Sequence, residues 1–127
     1  MNTEQSKKVL VIEDEQDLRE ALKTALSNES FEVHTAGDGE AGLQMALEVK
    51  PDLILLDLMM PKLDGLGVLK ALRGDEWGKN VKVIVMTALD DLERVAEVLE
   101  NGGSEYLVKS NISLGTVVAK VKEKLKV

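Results

Sequence analysis

Short apolar runs alternate with segments of helical periodicity along the chain, and this alternation limits the folds open to it. The runs that predict strands lie at 8–12, 31–36, 52–57, 81–86 and 105–109. Between them, apolar residues recur every three or four positions, as one buried helix face requires. Alternating strands and helices form a parallel sheet with helices on both faces, and the crossovers are right-handed. A chain of 127 residues is long enough for one such domain.

Two of the predicted strands end in carboxylates. Glu13 and Asp14 follow one apolar run, and Asp57 follows another. A carboxylate beside a buried strand is costly unless it lies at the strand's carboxyl end and has a partner. Ligands bind at that end in open α/β sheets. A helix cap or an Asx turn before Pro61 is the alternative for Asp57, and Asp14 is also a good N-cap for the first helix.

The same edge of the predicted sheet collects a hydroxyl and an ammonium group, because Thr87 and Lys109 end the fourth and fifth runs. Carboxylates that lie close together repel one another, and a divalent cation relieves that repulsion. Mg²⁺ takes oxygen ligands, whereas zinc is disfavoured because the chain has no cysteine and a single histidine, His34. The sequence therefore predicts a site for a hard cation.

Composition excludes several classes of function. The formal net charge of −7 opposes binding to a phosphate backbone, and three aromatic residues are too few for a base-stacking platform. We therefore expect no direct nucleic-acid binding. No apolar stretch approaches the ~20 residues of a membrane helix, so no membrane insertion is expected. The polar amino terminus lacks a signal-peptide pattern, and we expect a cytoplasmic protein.

Four segments resemble the motifs of the receiver domain of two-component response regulators, in the same order and with the same spacing. These segments are 9–15, 52–65, 83–88 and 105–109. The resemblance covers nearly the whole chain and implies the doubly wound (βα)₅ fold, flavodoxin-like, with a five-stranded parallel sheet of order 2-1-3-4-5, as in CheY. It further implies a single receiver domain over 1–127, with a core of about 7–126 and no output domain.

The resemblance also assigns a phosphoacceptor and a metal site. Asp57 resembles the aspartate that accepts a phosphoryl group from a histidine kinase or a histidine phosphotransfer protein. Mg²⁺, for which Mn²⁺ can substitute, would be held by Asp14, Asp57 and the backbone carbonyl of Met59. Glu13 would act mainly through a metal-bound water. Such a domain catalyses only its own phosphorylation and dephosphorylation, and it signals through a conformational switch to a downstream protein that the sequence does not identify.

Further roles follow from the same resemblance. Thr87 would hydrogen-bond a phosphoryl oxygen, and Lys109 would pair with the acyl phosphate. Ala88 would leave a path for the donor. Tyr106 resembles an aromatic switch whose ring turns inward as Thr87 moves, and a half-buried strand tyrosine is the alternative.

Two apolar residues are expected to slow the loss of the phosphoryl group. Met59 and Leu89 lie two residues beyond Asp57 and Thr87, where the family varies. Neither side chain can orient an attacking water by a hydrogen bond. The sequence departs from the family at Ser110, because proline usually follows this lysine, often through a cis bond. We expect a trans bond before Ser110, since a cis bond there would cost about 2.5–4 kcal/mol.

Three other interpretations compete with this one. The segment 37–42 fits the G-x-G-x-x-G pattern of dinucleotide-binding folds, but Asp38 and Glu40 would place carboxylates where a pyrophosphate must lie. A phosphatase with an aspartate nucleophile commonly needs a second acid two residues later, and that position is Met59. A pseudo-receiver that binds proteins without taking phosphate would usually have lost the acceptor, the acid pair or the lysine, and all of these are present.

Overall fold

The computed structural model describes residues 6–60, 62–88, 92–103 and 105–127, without the side chains of Leu92 and Asn111. In chain order the elements are β1 (Lys8–Ile12), α1 (Gln16–Ser27), β2 (Glu32–Ala36), α2 (Gly39–Val49), β3 (Leu53–Asp57), α3 (Gly65–Arg73), β4 (Lys82–Thr87), α4 (Leu92–Glu100), β5 (Glu105–Val108), a 3₁₀ turn (Lys109–Asn111) and α5 (Leu114–Leu125). The predicted runs match the observed strands to within one residue at each end.

The five strands form one parallel sheet in the order β2-β1-β3-β4-β5. The predicted (βα)₅ topology with order 2-1-3-4-5 is therefore confirmed. The strand order reverses beside β1, and the neighbouring strands β1 and β3 carry the predicted acidic residues at their carboxyl ends. In doubly wound sheets the ligand crevice opens at this reversal.

Two apolar layers cover the sheet. Side chains alternate between the faces of a strand, so Val9 and Val11 pack with α1 and α5, whereas Leu10 and Ile12 pack with α2, α3 and α4. In β3 every residue is buried, because helices cover the central strand on both faces. The packing of these layers fixes where each strand ends. It therefore also fixes the position of the residue that follows each strand.

Side-chain caps start three of the helices. Asp38, Asp64 and Ser113 each accept a hydrogen bond from the backbone amide three residues later, at the first turns of α2, α3 and α5. The alternative role of Asp14, as the N-cap of the first helix, is wrong. Glu15 holds the N-cap position of α1 and makes no capping side-chain bond. Asp14 is thus left at the carboxyl edge of the sheet rather than bound to a helix end.

The glycines of 37–42 serve packing and a turn. A Cβ atom on Gly39 would lie 1.7 Å from the backbone carbonyl oxygen of Leu63, and one on Gly42 would lie 2.6 Å from the Ile12 side chain. Between them, Asp38 caps α2. The segment therefore brings α2 against the β3–α3 loop and β1.

Gly39→Ala should destabilise the fold, because a backbone carbonyl cannot yield as a flexible side chain does. We expect a loss of about 1–3 kcal/mol or more, which lowers the melting temperature by about 3–10 °C. Gly115→Ala is the matched control. Among the described atoms outside its own helix backbone, its Cβ would meet the Ser113 hydroxyl, at 3.8 Å. It should be neutral or slightly stabilising. Thermal unfolding followed by circular dichroism measures both, and a Gly39→Ala protein that melts like the parent would contradict this packing.

Candidate phosphoacceptor and metal site

Three carboxylates meet at the carboxyl edge of the sheet. Asp57 ends β3, and Glu13 and Asp14 directly follow β1, its neighbour. One oxygen atom from each of the three lies within 4.8 Å of the others. Glu13 and Asp57 are buried, with exposed fractions of 0% and 2%, whereas Asp14 is exposed. The parallel sheet therefore brings together the acidic residues that the sequence placed at its strand ends.

Backbone contacts fix both chain segments that carry these acids. The amide of Glu13 donates to the carbonyl oxygen of Ala36 at 3.0 Å, which continues the β1–β2 ladder. Behind Asp57, a Cβ on Gly65 would lie 2.5 Å from the Asp57 carbonyl oxygen. Helix α3 thus begins in direct contact with the end of β3, at a position where only glycine fits.

Lys109 supplies a positive charge inside this cluster. Its Nζ lies 3.0 Å from Oε1 of Glu13 and 3.3 Å from Oδ2 of Asp57. Lys109 is the first residue of the 3₁₀ turn that follows β5. The peptide bond before Ser110 is trans, as expected. Burial alone would lower the pKa of Lys109, but the hydrogen bond to Glu13 and the charge of Asp57 outweigh it, so the pKa is raised. The lysine therefore stays charged.

The Asp57 carboxyl group has an unusual proton affinity. Burial and the neighbouring charge of Glu13 raise its pKa, Lys109 opposes them, and the net result is a pKa of about 7 instead of 3.8. Among the described residues, Lys109 is the ammonium group in contact with these carboxylates, and the negative charge that it leaves unbalanced raises the proton affinity of Asp57. A second cation at this edge would restore the ionised form.

The donor atoms fit a hard divalent cation. All three side chains offer carboxylate oxygens, the ligands that Mg²⁺ prefers. Oε1 of Glu13 is buried and lies 3.0 Å from the Lys109 ammonium, without hydrogen-bond geometry to any group in the described part of the chain. An acidic cluster with excess negative charge is suited to Mg²⁺.

The remaining predicted residues that the structure describes lie on β4 and β5 or just after β3 and β4. The Met59 amide donates to Oδ1 of Asp57 at 3.3 Å, and the Met59 side chain is 52% exposed. Thr87 is buried, and its hydroxyl donates to the carbonyl oxygen of the exposed Ala88 at 3.3 Å. Tyr106 lies on β5 with 38% of its surface exposed. Leu89, the second residue expected to control phosphoryl lifetime, lies outside the described residues.

Sequence reasoning missed one contact at this site. Nη1 of Arg19, on α1, donates to the backbone carbonyl oxygen of Glu13 at 2.9 Å. An arginine on an amphipathic helix usually belongs to the solvated face, and its sequence position gives no sign of a backbone partner.

Comparison with known proteins places this geometry in a family. The family model described as "Response regulator receiver domain" matches residues 9–122. "Probable transcriptional regulator ycf27" of Guillardia theta is 41% identical over 86% of this chain and 42% of that protein. "Transcriptional regulatory protein PrrA" of Mycobacterium leprae is 40% identical over 95% of the chain and 51% of that protein. The Vibrio cholerae chemotaxis protein CheY4 superposes with a TM-score of 0.86 at 27% identity, covering 93% of this chain and 98% of that one.

The chain belongs to the response regulator receiver domain family, as the sequence motifs predicted. It spans about half the length of the curated relatives it matches. Among the described residues, no helix combines the length and apolar character needed to cross a membrane.

The expectation that nucleic acid is not among the partners is wrong. Curated relatives are transcriptional regulators, and the matched region makes up only 42% to 51% of those proteins. The net charge of −7 describes the receiver region alone. It therefore gives no measure of what the rest of such a protein binds.

The raised pKa of Asp57 predicts how stability depends on pH without metal. A folded-state pKa near 7, above the ordinary 3.8, means that the folded protein takes up a proton more readily than the unfolded chain. Proton uptake by Asp57 therefore stabilises the folded state fully below about pH 4, and this stabilisation is lost as pH rises through about 7. Asp57→Asn removes the titration and keeps the shape. At pH 8 in chelator it should melt about 5–10 °C above the parent, and this advantage should shrink as pH falls from 7 towards 4.

Thermal unfolding across pH 4–8 tests this prediction. Glu48→Gln, which removes an exposed carboxylate on α2, should track the parent at every pH. An Asp57→Asn protein that melts below the parent at pH 8 would show that the Lys109 pairing outweighs burial and charge repulsion.

Proposed function

We propose that Asp57 accepts a phosphoryl group from the phosphohistidine of a histidine kinase or phosphotransfer protein, in a Mg²⁺-dependent reaction. The observation that carries this proposal is the buried Asp57 carboxylate, held between an acid pair and an ammonium group. Phosphoryl transfer depends mainly on positioning and charge neutralisation, and these groups provide both.

The transfer exchanges one bond for another. An Asp57 carboxylate oxygen forms a bond to phosphorus as the bond from phosphorus to the donor imidazole nitrogen breaks. That nitrogen keeps the electron pair and is then protonated. Asp57 must be ionised to attack, and its raised pKa opposes this at neutral pH. Bound Mg²⁺ would neutralise the carboxylates and the oxygens of the transferring group.

The chain's own residues would then divide the work. Asp14, Asp57 and the backbone carbonyl of Met59 would hold the ion, and Glu13 would reach it through water. Lys109 is already within 3.3 Å of Asp57, so it would pair with the phosphoryl group without leaving the site.

The switch would use the fourth and fifth strands. Within the described residues, the Thr87 hydroxyl donates one long hydrogen bond, to the carbonyl oxygen of Ala88, and it could turn to a phosphoryl oxygen. Tyr106 is exposed and could follow it inward. Ala88 would leave the approach to Asp57 open. Met59 and Leu89 would slow hydrolysis of the acyl phosphate. A cytoplasmic location stays a prediction.

Intact-mass measurement after incubation with acetyl phosphate tests the function. The parent should gain the mass of one phosphoryl group with Mg²⁺ and almost none in chelator. Asp57→Asn should gain none, because an amide cannot replace the carboxylate nucleophile. Asp17→Asn, at an exposed carboxylate on α1, is the matched control and should be labelled like the parent. A parent that binds Mg²⁺ but takes up no phosphate would favour the pseudo-receiver, a binding module on the same fold.

A further inference from the structure

Arg19, the residue that sequence reasoning missed, lies on α1 and is close to two loops beside the acid pair. Arg19 lies on the first turns of α1, and its Nη1 reaches back to the Glu13 carbonyl oxygen in the β1–α1 loop. A Cβ on Gly37, in the β2–α2 loop, would lie 3.2 Å from the same nitrogen. The half-buried guanidinium group is thus held between two loops at the carboxyl edge of the sheet.

Gly37 is explained by this contact rather than by its backbone conformation. Among the described glycines, only Gly102 has a positive φ in the left-handed region. The nearest atoms to a Cβ on Gly37 are Nη1 and Cζ of Arg19, at 3.2 and 3.6 Å. A side chain here would have to displace the guanidinium group by a few tenths of an ångström. The β2–α2 loop is therefore shaped to leave room for Arg19.

The hydrogen bond from Arg19 controls the direction of one peptide plane. The carbonyl oxygen of Glu13 and the nitrogen and Cα atoms of Asp14 lie in the same planar unit. Fixing that oxygen fixes where the Asp14 side chain begins. Glu13 is separately restrained, because its amide binds the Ala36 carbonyl and its carboxylate binds Lys109 and the Glu15 amide. Asp14 is exposed, so its position depends most on the backbone that Arg19 holds.

The position of Arg19 on its helix also argues for a role outside the helix. A positive side chain near a helix N-terminus gains nothing from the helix dipole, which favours acids there. The charge is also unfavourable for a cation site nearby. Because both effects disfavour a positive charge at this position, we attribute the presence of Arg19 to its hydrogen bond with the Glu13 carbonyl oxygen.

We propose that Arg19 is a positioning residue for the Mg²⁺ site. It acts through the Glu13 carbonyl to place the Asp14 carboxylate where it meets the ion, and Gly37 provides the space for it. The inference rests on the proposed function, since it concerns the metal of that same site. Residues that orient metal ligands from outside the coordination sphere typically contribute about 10–100-fold to metal affinity.

A role through charge and a role through positioning predict opposite changes in Mg²⁺ affinity when Arg19 is removed. Removing a cation near a metal site strengthens metal binding if only its charge matters. Loss of positioning weakens metal binding. Titration calorimetry of the metal-free proteins with Mg²⁺ separates the two effects, with circular dichroism confirming that each variant is folded. We expect Arg19→Ala to bind Mg²⁺ about tenfold more weakly than the parent.

Three companion variants sharpen the test. Arg19→Lys keeps the charge and a donor, so it should recover part of the lost affinity. Gly37→Ala keeps Arg19 but pushes its guanidinium group, so it should weaken binding by less than Arg19→Ala. Lys23→Ala removes an exposed charge one turn further along α1, and it should bind as the parent does.

The outcomes distinguish the two proposals. A folded Arg19→Ala protein with a lowered melting temperature but the parent's Mg²⁺ affinity would leave Arg19 a merely structural role and overturn the inference alone. Tighter binding in Arg19→Ala, or equal weakening in Lys23→Ala, would also overturn it. A parent that binds no Mg²⁺ would overturn the proposed function and this inference together.

Discussion

The excess of negative charge around one buried carboxylate is the constraint on which this structure depends. Glu13 and Asp57 lie in the interior with the Lys109 ammonium between them, and Asp14 adds a third carboxylate at the rim. Apolar packing on both faces of β3 forces Asp57 into this position, since every residue of the strand is buried. The resulting rise in its pKa to about 7 lowers the ionised fraction of Asp57 when no metal is bound. Metal binding and reactivity are thereby coupled through electrostatics.

Much of this arrangement could be predicted from sequence because it depends on periodicity. The five apolar runs located the strands, and right-handed crossovers restricted their winding. Parallel strands end at one edge, so residues far apart in the chain, such as Asp57 and Lys109, could be expected to meet there. The family motifs then supplied the strand order, which periodicity alone does not determine.

The contacts that orient the site could not be predicted, because they do not depend on periodicity. Whether Arg19 binds solvent or the Glu13 carbonyl depends on the packing of α1, which the local sequence does not encode. The N-cap of α1 was misplaced by one residue because Asp14 and Glu15 are both acidic and tertiary position decided between them. The expectation of no nucleic-acid binding was wrong for a different reason. It extended a property of the receiver region to proteins in which that region is about half of the length.

Direct identification of the phosphorylated residue tests the central claim most sharply. Borohydride reduces an acyl phosphate on aspartate to homoserine, which survives proteolysis and can be located by peptide sequencing in a mass spectrometer. After labelling in Mg²⁺ and reduction, homoserine should occur at position 57, in place of Asp57. Homoserine at Asp14 or another acid instead, or its absence from a labelled protein, would contradict the assignment of Asp57 as the phosphoacceptor.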